Sequence, residues 1–142
     1  MLENARRKAR AAASAEEGLV LGIDTEVLVD GELLGKAATP DEAATHLRRL
    51  SGRTHLVLGG LVLLEGGRER AGVERTAVTF RPIDDRLLRW YLSTEEWRDR
   101  AGAYAIQGRG AALVERIEGD YWNVVGLPVP LLLRLAPELL AA

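Results

Sequence analysis

The chain contains no cysteine. That excludes disulfide staples, thiol nucleophiles and thiolate metal sites, and it fits a reducing compartment. There are only two histidines, His46 and His55. One falls on an expected helix, the other opens an expected strand, and no third ligand is visible, so a histidine-based zinc site has no support. No apolar run is long enough to span a bilayer. The opening residues, MLENARRKARAAAS, are basic and alanine-rich but lack the apolar core of a signal peptide. A cytoplasmic protein without a membrane partner is expected. An excess of one charge is also missing: the net charge is −2. With no basic face beyond Arg6, Arg7, Lys8 and Arg10, a nucleic-acid-binding role is disfavoured.

What remains is enough for one domain with a sizeable core: 142 residues, 47% hydrophobic and 28% charged. Alanine-rich residues 2 to about 15 suit a helix, followed by a polar break at 14–18. Residues 19–29 read as a strand, Asp30-Gly31 as a hairpin turn, and 32–34 as its return. Thr39-Pro40-Asp41-Glu42 carries a helix start, with Thr39 as cap, proline in the first position and Glu42 closing a capping box. Ser51-Gly52-Arg53 ends that helix. Strands are expected at about 55–64 and 73–81, joined by a polar loop at 65–69, and Asp84 is expected to cap a helix over 85–92. Residues 93–110 form a long glycine-rich segment of the kind that usually carries function. Strands at 111–117 and 121–125 and a leucine-rich helix from about 128 complete a mixed α/β order. Trp90, Trp97 and Trp122 are expected to be packing residues rather than stacking platforms.

The residue most in need of a partner is Asp24, a carboxylate in the middle of an apolar strand. Lys36 closes the hairpin that this strand begins. One reading makes Asp24 a strand residue satisfied by backbone amides and Lys36 a solvated lysine. The other makes Asp24 a carboxylate that holds a divalent cation or activates a water, with the lysine meeting a phosphate. Gln107, flanked by Tyr104 and Gly108, is either polar filler or a reader of a base edge, since an amide both donates and accepts. The basic cluster at residues 6–10 is a solvated helix face or a phosphate contact, and Arg98-Asp99-Arg100 a surface charge run.

Six blocks in order resemble one family. They are Gly22-Ile23-Asp24-Thr25; Asp30-Gly31-Glu32-Leu33-Leu34-Gly35-Lys36; Leu50-Ser51-Gly52-Arg53-Thr54-His55; Val78-Thr79-Phe80-Arg81; residues 101–108, AGAYAIQG; and residues 118–128, EGDYWNVVGLP. The chain resembles the Maf family, the septum-formation-inhibitor-like nucleoside triphosphate pyrophosphatases, over essentially its whole length. The resemblance implies a mixed α/β fold related to the inosine-triphosphate pyrophosphatases, with a long twisted sheet, flanking helices and a central cleft. It implies hydrolysis of a nucleotide between its α- and β-phosphates, giving a monophosphate and pyrophosphate, as housecleaning of pyrimidine or modified nucleotides. A divalent cation, magnesium or manganese, and a homodimer are implied too. By motif, Asp24 is the proton acceptor or metal-side carboxylate, Lys36 a catalytic phosphate contact and Lys8 the helix lysine facing the phosphates. Thr25 and Gln107 select the substrate. Arg100 stands where the family has lysine, keeping charge but changing geometry.

Other departures are Glu95-Glu96-Trp97 for the family's Gly-Glu-Pro and Ala37 for the proline after Gly-Lys. The family also begins with a strand and a Ser-x-Ser-Pro-Arg-Arg phosphate loop, followed by a glutamate that serves the site. None of these precedes residue 1. The expectation is therefore a single domain, residues 1–142, incomplete at its N-terminus through a late start codon or a real truncation. With a sheet edge and an apolar face exposed, poor stability and weak or absent activity are expected. The competing expectation is a non-catalytic relict that binds a partner, linked to cell division.

Overall fold

Five strands form one sheet in the order β2-β1-β3-β4-β5, where β1 is Val20–Val29, β2 Glu32–Leu34, β3 Thr54–Glu65, β4 Arg68–Phe80 and β5 Val114–Glu118. Among the described residues, five α-helices accompany it: α1 (Leu2–Ala13), α2 (Pro40–Leu50), α3 (Asp85–Ser93), α4 (Tyr121–Val125) and α5 (Val129–Leu135). The architecture is the expected mixed α/β. The computed structural model describes residues 1–13 and 18–141. Most of the polar break expected at 14–18 lies outside the described residues. Among these, no helix is long and apolar enough to cross a membrane.

The chain divides into two compact units. The first comprises Met1–Thr25, Leu58–Arg75 and Asp120–Ala142. Its organisation follows from the alternation of β3, whose successive side chains face opposite sides. Leu61 and Leu63 face one way and are buried with Leu131, Leu132 and Ala136, with Ile23 and Leu127 packed beside them. Val62 faces the other way and is buried with Ala5 and Ala9 of α1. Each leucine fully removed from water contributes about 2 kcal/mol. Ala5 and Ala9 are one helical turn apart, so α1 turns a face of small side chains to the sheet.

The second unit comprises Glu26–Val57 and Thr76–Gly119. Here β1 pairs antiparallel with β2, Val27 opposite Leu34 and Val29 opposite Glu32. The turn between them has φ of 49° at Asp30 and 77° at Gly31. Two left-handed residues give the turn the twist a two-residue hairpin requires, as expected of Asp-Gly. At α2, the Thr39 hydroxyl accepts from the Glu42 amide at 3.1 Å, while the Glu42 carboxylate accepts from the Ala38 amide at 2.6 Å. The capping box thus closes one residue earlier than the usual pattern. Asp84 caps α3, its carboxylate accepting from the Leu87 amide at 2.8 Å. Asp84→Ala is expected to cost about 1 kcal/mol, read as a lower denaturant midpoint at unchanged slope.

His55 lies at the centre of an aromatic group and is 1% exposed. Its Nε2 is 2.6 Å from the Tyr104 hydroxyl, and its ring meets Phe80 and Tyr104 edge-on at 5.0 and 5.4 Å. Burial pulls its pKa down to about 4. The unfolded chain therefore takes up a proton first as pH falls. Stability is expected to decline from about pH 6.5 to pH 4, by up to about 3 kcal/mol from this group. Thermal unfolding across that range checks it: His55→Gln should remove this part of the slope while leaving Tyr104 a polar neighbour.

Several local expectations are corrected. The loop between β3 and β4 is a tight turn on Gly66 and Gly67, with φ of 55° and 83°, so both strands run longer than their alternation indicated. Arg109–Leu113 is a 3-10 helix, and β5 begins only at Val114. Residues 121–125 are helical although Tyr, Trp and Val favour strands. The Asp120 carboxylate accepts from the Trp122 amide at 2.8 Å, and Gly126, at φ 139°, ends the turn, so local caps override composition. The last helix stops at Leu135, and Pro137–Leu140 continues as a 3-10 turn. Of the three tryptophans only Trp97 is in the core, 1% exposed, while Trp90 and Trp122 are 43% and 55% exposed.

Candidate active site

Gly22 is where α1 and β1 meet. A Cβ at this position would lie 2.6 Å from the Ala9 nitrogen, 2.9 Å from the Ala9 Cβ and nearer still to the Ala5 carbonyl oxygen. Only glycine lets helix backbone settle on strand backbone this closely. Strand alternation puts Asp24 on the same face as Gly22 and sends Ile23 and Thr25 to the other. The consequence is a pairing across sixteen residues. Lys8, on the adjacent turn of α1, places Nζ 3.0 Å from the Ile23 carbonyl oxygen and 3.4 Å from Asp24 Oδ1.

The Asp24 side chain is 17% exposed and that of Lys8 57%. The carboxylate is mostly covered, while much of the lysine side chain faces solvent. Two other members of the basic cluster have partners of their own: Arg6 binds Glu69 and Glu3, both at 2.9 Å, and Arg7 donates to Asn4 at 2.8 Å. Of the expected residues in the first unit, Lys8 and Asp24 are brought together. Thr25, half-buried, belongs to the opposite face of β1.

The expected residues of the second unit lie just after β2 and in the long segment after α3. Lys36 is exposed and forms an isolated antiparallel bridge with Ala101, next to exposed Arg100. The Gly102 amide donates to the Leu34 carbonyl at 3.1 Å, and its Cα lies against Val27, where a Cβ would come within 3.0 Å of the valine methyl. Lys36 and Arg100 are thereby tied to neighbouring backbone.

Gln107 is exposed on a turn whose ends are both anchored. The Ala105 amide donates to the Tyr91 hydroxyl at 2.9 Å, and the Arg109 and Gly110 amides donate to Glu96 at 2.9 and 3.2 Å. Partial burial opposes the charge on Glu96. The two amides and the Tyr91 hydroxyl outweigh it and hold the carboxyl below its usual range. Burial pushes the Tyr91 hydroxyl well above its own range, so it stays protonated and donates to Glu96 at 3.2 Å.

Sequence reasoning missed Tyr91 and Glu96. The available signal was a glutamate kept in the family's Gly-Glu-Pro position while both of its neighbours departed.

The arrangement offers anionic and cationic groups rather than a nucleophile. Among the described residues, no three His, Asp or Glu side chains converge as a metal cage. An aspartate carboxylate is an oxygen ligand of the kind hard cations take.

Comparison with known proteins adds a second line of argument. A family model described as "Maf-like protein" matches residues 1–139. A dTTP/UTP pyrophosphatase of Pyrococcus furiosus is 49% identical over 116 residues, covering 82% of this chain and 61% of that protein. A dTTP/UTP pyrophosphatase of Symbiobacterium thermophilum is 53% identical over 126 residues, covering 88% and 65%. One from Pyrococcus abyssi is 46% identical over 135 residues, covering 94% and 72%. The chain thus spans between three fifths and three quarters of the length of these relatives.

Proposed function

The chain belongs to the family of Maf-like proteins, and from that premise we propose that it serves hydrolysis of a pyrimidine nucleoside triphosphate between its α- and β-phosphates. The products are a nucleoside monophosphate and pyrophosphate. The observation that supports this most is the likeness to relatives named dTTP/UTP pyrophosphatase, joined to an ammonium and a carboxylate held side by side at Lys8 and Asp24. Phosphoryl transfer asks a protein chiefly for positioning and charge.

In this reading a water adds at phosphorus, the bridging P–O bond breaks, and Asp24 takes the water's proton. Lys8 leaves Asp24 to meet the phosphates, and Lys36 and Arg100 neutralise charge that builds on them. Gln107 reads the base edge with its amide. Thr25 contributes to substrate selection from the other face of β1. A divalent cation, magnesium or manganese, would be held by Asp24 and would supply charge neutralisation on the triphosphate. The cytoplasm is the proposed setting, in keeping with the absence of cysteine.

The experiment is to incubate the purified chain with dTTP, UTP, ATP and GTP and either cation, at protein concentrations high enough to read the weak turnover expected of it, and to identify the products. Pyrophosphate and a monophosphate from dTTP and UTP, about tenfold or more faster than from the purine nucleotides, is the expected result. Orthophosphate as the only inorganic product, or no product from any of the four, overturns it.

A further inference from the structure

We propose that Glu96 and Tyr91 are positioning residues that fix the Gln107 turn and so set the discrimination between bases. The inference rests on the assignment of Gln107 as the base reader and goes beyond it, because neither residue is itself assigned a contact with substrate.

The geometry carries it. Four hydrogen bonds converge on two side chains: Ala105 to Tyr91, Tyr91 to Glu96, and Arg109 and Gly110 to Glu96. They hold the backbone on both sides of Gln107 and leave Gln107 itself exposed. The two glycines after it are shaped for this clamp. A Cβ on Gly108 would lie 2.6 Å from Glu96 Oε2. One on Gly110 would lie 2.8 Å from the Ala105 carbonyl carbon and 3.1 Å from the Tyr91 hydroxyl. A larger residue at Gly110 would collide with backbone, and one at Gly108 would displace the Glu96 carboxylate from the turn.

The support beneath it is firm. Tyr91 and Trp97 are buried, and the Thr94 hydroxyl donates to the Tyr91 carbonyl at 2.6 Å while accepting from the Glu96 amide at 3.2 Å. The same segment contains three left-handed non-glycine residues, Glu95 (φ 64°), Asp99 (φ 57°) and Ala103 (φ 67°). Such conformations persist only where surrounding contacts over-determine them. An amide that tells one base from another must have its donor and acceptor ends placed to within a fraction of an ångström. An exposed turn reaches that precision only if it is clamped from below.

Binding separates this inference from the chemistry. The probes are the α,β-methylene analogues of UTP and ATP, which cannot be cleaved between those phosphates, titrated by calorimetry. Glu96→Gln keeps size and polarity but replaces an acceptor oxygen with a donor. It is expected to narrow the ratio of the two dissociation constants about tenfold, with loss of UTP-analogue affinity and little change for the ATP analogue. Tyr91→Phe should act in the same direction and is the second variant should Glu96→Gln not fold. Amide hydrogen exchange should quicken at Ala105, Arg109 and Gly110 without a general loss of protection, which a merely destabilising change would not produce. Narrowing of the ratio by Gln107→Ala but not by Glu96→Gln or Tyr91→Phe overturns the positioning role and leaves the base-reading assignment intact. A ratio unmoved by Gln107→Ala overturns both.

Discussion

Gly22→Ala is expected to destabilise the protein by about 3 kcal/mol or more, lowering its melting temperature by about 10 °C. The new methyl group has nowhere to go. Its nearest neighbours are the Ala5 carbonyl oxygen and the Ala9 amide nitrogen, which are helix backbone and cannot rotate aside as a side chain would. Relief requires α1 to lift from β1, and that uncovers Ala5, Ala9 and Val62, all fully buried. The same movement withdraws Lys8 from Asp24, so substrate affinity should fall with stability. Gly35→Ala is the control, because a Cβ there meets nothing within 4 Å. It should shift the melting temperature by no more than about 2 °C. Thermal unfolding of the two variants beside the parent protein decides the matter; equal melting temperatures for both variants would show that α1 does not need the close approach.

Asp24→Asn is expected to do the reverse, leaving stability almost untouched and lowering kcat/KM about 10³-fold. Its ion pair with Lys8 is 3.4 Å long, and the lysine side chain is more than half exposed. Pairs of that kind contribute about 0–1 kcal/mol to stability. Asparagine keeps the shape and can still accept from Lys8, but it cannot take a proton from water and binds a hard cation poorly. A melting temperature within about 3 °C of the parent, together with the loss of pyrophosphate release, is the expected pair of results. Retained turnover in Asp24→Asn would remove Asp24 from the chemistry while leaving the fold argument standing.

The contrast between these neighbours shows which parts of the protein were written locally. The Thr39-Pro40 helix start, the Asp30-Gly31 turn and the Asp84 cap were legible because each depends on atoms within a few residues. Asp24 stood out in the sequence for a related reason: a carboxylate in an apolar strand is costly wherever it lies. Residues 121–125 were misread because β-favouring side chains outweighed the capping aspartate and the terminal glycine in the pattern, though not in the folded chain. The exposure of Trp90 and Trp122 was not legible because size and apolarity do not say which face of an element a neighbour will cover.

The sequence by itself determined the mixed α/β class, the family, the Asp30-Gly31 turn and the caps at Thr39 and Asp84. Tertiary structure decided which distant residues meet. Lys8 finds Asp24 because Gly22 admits a helix backbone, a fact that depends on two segments arriving together. Glu96 finds the amides of Arg109 and Gly110 because a buried tyrosine and tryptophan hold its own segment in place. Local conformational preferences are set by bonded neighbours and can be read along the chain. Pairings between distant residues depend on close packing in three dimensions, where a single methyl group determines whether two segments can touch.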